Sequence, residues 1–115
     1  MRKLNIAFAL SIASSAYAED MQMRLADAGF AAHSTHGRGF ELIIEIRGAA
    51  VRDVPDRVFG EICAQVGPQI IPQLRTHEDS FEPNYIGIRL TGGGFISTQK
   101  FVAFAPNGDS CGPEL

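Results

Sequence analysis

Phe40-Glu41-Leu42-Ile43-Ile44-Glu45-Ile46-Arg47 is the stretch that decides the fold. Phe40, Leu42, Ile44 and Ile46 fall on one side of an extended chain, and Glu41, Glu45 and Arg47 fall on the other. This is the period of a strand with one face in a core. The β-branched isoleucines suit a pleated surface, and Ile43 on the polar side points to partial cover there. Glu41 and Glu45, beside Arg47, read as a solvated outer face and not as a catalytic carboxylate pair.

Downstream, residues 48–52 connect this strand to a helix. Asp53 reads as its N-cap, Pro55 sits in the first turn, and Asp56 favours the positive end of the helix dipole. Val58, Phe59, Ile62, Cys63 and Val66 form one apolar stripe, with Gly60 permitting close approach to the sheet. Gly67-Pro68 is expected to stop the helix near Val66. Residues 69–74, which include Pro72, read as a short second helix, and residues 76–83 as a surface loop. Residues 85–90 return to strand period, with Ile86, Ile88 and Leu90 inward and Tyr85 and Arg89 outward. Gly92-Gly93-Gly94 breaks that strand, residues 99–104 pair with it as a hairpin, and residues 106–109 turn the chain toward Cys111. Upstream, residues 21–30 fit a helix through Met23, Ala26 and Phe30 and an edge strand through Met21, Met23 and Leu25 equally well. Residues 33–39 read as a loop.

The expected fold class is therefore α+β: a small antiparallel sheet with one main helix packed on one face. Its core should join Phe40, Leu42, Ile44 and Ile46 to Val58, Ile62, Ile86, Ile88 and part of residues 101–104.

Residues 1–18 have the parts of a cleavable signal peptide. Arg2 and Lys3 open it, residues 6–12 form a short apolar run, and Ala16-Tyr17-Ala18 is an A-x-A site, placing cleavage between Ala18 and Glu19. The apolar run is well short of the roughly 20 residues a spanning helix needs. Glu19, in place of a cysteine, speaks against a lipoprotein anchor. One domain over residues 19–115, periplasmic or secreted and with no membrane span, is expected. The chain carries ten Lys plus Arg and thirteen Asp plus Glu; loss of Arg2 and Lys3 leaves eight against thirteen, a net charge of −5. Such an acidic balance speaks against nucleic acid and anionic membrane surfaces as partners.

Cys63 and Cys111 both lie in the exported part, where an oxidising compartment makes a disulfide the default. Neither a C-x-x-C pattern nor an adjacent histidine marks a reactive thiol. The strand at 40–47, the helix with Cys63, Pro72-Gln73-Leu74, the strand at 85–90 and the ending Phe101-Val102-Ala103-Phe104 through Gly108 to Cys111 resemble a family of short secreted alphaproteobacterial proteins known only as a domain of unknown function. The resemblance is one of spacing and residue type over most of the mature chain. The segment 92–97 departs from it. It implies export, the disulfide and a Gram-negative host, and it brings no active-site residues.

Other candidates are weaker. His33 and His36 form H-x-x-H, with His77 and Glu78 as distant companions, but no metal-site spacing is matched. Gly92-Gly93-Gly94 offers backbone N–H groups without the Gly-Lys-Ser/Thr of a phosphate loop. Ser34, Ser80, Ser97 and Ser110 sit in expected loops or turns, and none lies in G-x-S-x-G. No catalytic, cofactor-binding or metal residue is therefore assigned, and no cofactor. The expected function is a non-enzymatic periplasmic binding or accessory module, acting on a periplasmic protein through a sheet edge or face. The alternative is a small secreted enzyme or enzyme inhibitor working through a loop, with His33, His36 and His77 as its proton-transfer groups.

Overall fold

The alternating stretch at 40–47 is the centre of a longer strand, β2 (Gly37–Arg47), and Phe40, Leu42, Ile44 and Ile46 are fully buried as its period requires. The computed structural model describes residues 22–77, 82–92 and 98–115, without the side chain of His77. The segment 1–21, with its expected cleavage at Ala18 and Glu19, lies outside the described residues, as do Glu78, Ser80, Gly93, Gly94 and Ser97.

Among the described residues, five strands form one sheet in the order of the chain: β1 (Gln22–His33), β2, β3 (Ile86–Gly92), β4 (Gln99–Asn107) and β5 (Ser110–Glu114). β2 and β3 run parallel, and the other neighbours run antiparallel. This corrects the expected small antiparallel sheet: the sheet is mixed and dominates the molecule, with one α-helix, α1 (Asp56–His77), among the described residues. Side-chain alternation is the same in parallel and antiparallel strands, so it carries no information on direction. The crossover through α1 lets β3 enter beside β2 in the same sense.

β1 settles the helix-or-strand ambiguity at 21–30 in favour of an edge strand. Its period is masked because Leu25 opposes Ile44 while Asp27 opposes Ile43, leaving Ala26 as the extra residue of a bulge. Met23 and Leu25 before the bulge, and Ala28 and Phe30 after it, thereby reach the same face despite their opposite parity. β5 gave no strand signal because Ser-Cys-Gly-Pro-Glu lacks β-formers.

The helix also differs from expectation. Asp53 lies in a 3-10 turn (Val51–Asp53), and α1 begins three residues later. It then passes Gly67, Pro68 and Pro72 and absorbs the expected second helix. An interior proline costs ~3 kcal/mol or more. Here Ile70, Ile71 and Leu74 are fully buried by that continuation, at about 1.5–3 kcal/mol each. Pro68 and Ala64, whose carbonyl loses its helical donor, are both exposed, so water can serve the orphaned oxygen.

The helix stripe meets the inner face of the sheet. Val58, Phe59, Ile62, Cys63 and Val66 pack with Ile86, Ile88, Leu90, Val102 and Phe104 in one core. The Cys63–Cys111 disulfide spans 6.0 Å between Cα atoms and joins the buried stripe to β5. Arg75 reinforces the attachment through Asp109 at 3.0 Å and the Gly108 carbonyl at 3.1 Å. Among the described residues no helix is long and apolar enough to cross a membrane.

Candidate functional site

The helix covers one face of the sheet; the candidate site is on the other. In the register of the central strands Glu41 opposes Gly87, and Gly87 opposes Ala103. In the next row Ile43, Arg89 and Phe101 align. Gly39 and Gly87 leave two gaps in this outer surface, and aromatic rings fill them. A Cβ on Gly39 would stand 2.5 Å from the Tyr85 ring, and one on Gly87 would stand 2.5 Å from the Phe101 ring. The two strand glycines therefore exist for close approach of rings to backbone.

Tyr85 is buried completely, and its hydroxyl donates to Glu41 Oε2 at 2.7 Å. Arg89 donates to Glu41 Oε1 at 3.3 Å, and its guanidinium lies 4.7 Å from the centre of the Phe101 ring. Glu41, only 6% exposed, thus has both oxygens engaged. The expectation of a solvated Glu41 is corrected, because Tyr85 folds over it. Glu45 does behave as expected: it forms surface ion pairs with Arg24 at 3.0 Å and Arg47 at 3.6 Å. Burial raises the Tyr85 pKa, and the hydrogen bond and negative charge of Glu41 raise it further, with Arg89 opposing in part. The phenol accordingly stays protonated and acts as a donor.

The expected loop at 33–39 shrinks to a tight turn at residues 34–36, with His33 ending β1 and Gly37 opening β2, and this turn brings His33 and His36 together. Their ring centres are 4.7 Å apart. The His33 ring stacks on Phe101 at 5.2 Å and 11°, and His36 lies 5.7 Å from Tyr85. His33 Nδ1 accepts the Thr35 backbone N–H at 3.1 Å, which assigns the ring proton to Nε2. His33 in this tautomer has no free lone pair for a metal. Among the described residues no group of three or more His, Cys, Asp or Glu is arranged to hold one. Ser34 lies in the same turn, and Ser110 opens β5 beside Gly67 of the helix.

A depression of about 220 Å³ borders the histidines and includes Phe101, Ala103, Asp56 and Glu114 in its walls. It lies where β5 stops covering β4. The residue-for-residue pairing of these strands starts at Phe104, and the last contact is the Leu115 N–H to the Ala103 carbonyl at 2.9 Å.

The sequence reading singled out His33 and His36 and missed Glu41, Tyr85, Arg89 and Phe101 as a unit. The available signal was the pair of glycines inside strands, Gly39 and Gly87. Fold and cluster together define a mixed sheet packed on α1, with a polar and aromatic outer face. No family model, curated protein or solved structure matches the chain.

Proposed function

We propose that this protein is an exported, non-enzymatic binding or accessory module of the periplasm or extracellular space, and that its contact surface is the outer sheet face with the adjoining edge of β4. The observation that carries this reading is the Glu41–Tyr85–Arg89 cluster. A buried carboxylate with both oxygens occupied fixes Tyr85 and Arg89, and Phe101, His33 and His36 pack against these at the border of an open depression. Such a surface is preorganised for contact. Three of its ionisable groups are tied to one another: the phenol is held protonated, and Tyr85 and Arg89 each engage one oxygen of Glu41. That suits recognition better than proton transfer. The disulfide and the secretory pattern of residues 1–18 support an oxidising compartment.

Two measurements test this. Intact-mass analysis of the protein from a Gram-negative host should show a chain starting at Glu19; retention of residues 1–18 would remove the export half of the reading. Titration of the ¹⁵N-labelled protein with fractionated periplasmic extract should shift the amides of His33, His36, Arg89 and Phe101 without new product signals. Turnover of an extract component that is lost in His33→Ala would replace the binding reading with the enzymatic one.

A further inference from the structure

We propose that the open edge of β4 accepts an extended, basic peptide segment as an added strand; this rests on the binding-module reading and names the partner chemistry. The Ala103 carbonyl points away from β3, since it accepts the Leu115 N–H. Alternation along β4 then directs the N–H and C=O of Phe101 and Gln99 to the same side. Among the described residues, no strand opposes that side of β4 from Gln99 to Val102. The depression of about 220 Å³ lies at the Phe101–Ala103 end of this gap and is walled on both sides of the sheet. On the outer side stand the stacked rings of His33 and Phe101, and on the inner side stands Asp56 at the start of α1. A strand laid here would continue the line of β5 and place alternate side chains on the two walls.

Charge decides what kind of strand fits. Asp56 and Glu114 both line the depression. Asp56 shares Lys100 with the Val54 carbonyl, which Lys100 meets at 2.7 Å, while Glu114 has no ion pair among the described residues. The domain after residue 18 is itself net acidic. An acidic segment would add like charges to this lining, whereas lysine or arginine side chains would meet Glu114 and Asp56. Main-chain hydrogen bonds would supply sequence-tolerant attachment, and the two carboxylates would supply the preference.

The test titrates the ¹⁵N-labelled protein with the capped pentapeptide KVTVK, its acidic counterpart EVTVE, and KVTVK carrying backbone N-methyl groups in each of the two alternate patterns. KVTVK should shift Gln99, Phe101, Ala103 and Glu114. EVTVE should bind more weakly, and so should KVTVK at high salt or to Glu114→Gln. One methylation pattern should weaken binding by roughly tenfold through lost main-chain hydrogen bonds, while the other is tolerated, because only one side of an added strand faces β4. Equal behaviour of the two patterns, equal binding of EVTVE, or an absence of shifts along β4 would each overturn the inference. If the extract still shifts the outer face while KVTVK does not touch β4, the peptide inference falls and the binding-module reading stands. If neither titration shifts any amide, both fall.

Discussion

On the inner face of the sheet, Phe40, Leu42, Ile44 and Ile46 present large side chains at every second position, and a helix stripe covers them completely. On the outer face, Gly39 and Gly87 present none, and the gaps are covered by Tyr85 and Phe101 from neighbouring positions. Both devices bury surface. The first is built from residues that fill their own place, the second from residues that vacate it. The second can hold a charged group: Glu41 lies below Tyr85 with two donors, where a simple apolar face would exclude it. The outer face can therefore be rigid and polar together, which a recognition surface requires and a core does not.

Breaking the inner face should have the largest effect. Ile44→Ala is expected to destabilise by ~2–5 kcal/mol in a urea denaturation series; an unchanged midpoint would mean that this face is not the core. The Cys63→Ala, Cys111→Ala double variant should lose a similar ~2–5 kcal/mol. Because its bond lies on the helix side, the outer-face shifts produced by periplasmic extract should survive in the folded fraction. Their loss would tie the disulfide to function.

The outer face should respond less, and through different groups. Gly87→Ala must displace the Phe101 ring, for ~1–3 kcal/mol, and should alter the amide shifts of His33, which stacks on that ring. Tyr85→Phe leaves a buried carboxylate oxygen without its donor, again ~1–3 kcal/mol. It carries a pH signature as well. The folded pKa of Tyr85 is raised above the ordinary tyrosine value of 10.0. Its contribution is thus complete below pH 10 and is lost as pH rises further, because there the unfolded chain releases a proton that the folded chain retains. Melting of the native protein should show this alkaline loss, and Tyr85→Phe should remove its share. The chain has two tyrosines and no tryptophan, and Tyr17 precedes the expected cleavage site. Absorbance near 295 nm of a chain starting at Glu19 would therefore report Tyr85 alone. The smallest effect belongs to Glu45→Gln, at under ~1 kcal/mol, since its ion pairs are solvated. A loss as large as that of Tyr85→Phe would erase the distinction between the two outer-face glutamates.

The sequence by itself determined the inner face. Alternation at 40–47 and 85–90 and the stripe from Val58 to Val66 are local consequences of strand and helix periods, and burial follows them wherever they occur. It also determined the disulfide, since two cysteines in one chain have few other options once a common compartment is accepted. Only the tertiary structure decided the parallel pairing of β2 and β3, the passage of α1 through Pro68 and Pro72, and the strands β1 and β5. Each depends on contacts that outweigh or disguise the local signal: Ile70, Ile71 and Leu74 against proline, the bulge at Ala26 against period, and β4 as a template for β5. The outer cluster belongs to the same group. Glu41 and Tyr85 are separated by 44 positions, and their hydrogen bond exists because a parallel register sets Glu41 opposite Gly87 and brings Gly39 against the Tyr85 ring. No spacing along the chain encodes that register, because a crossover sets it.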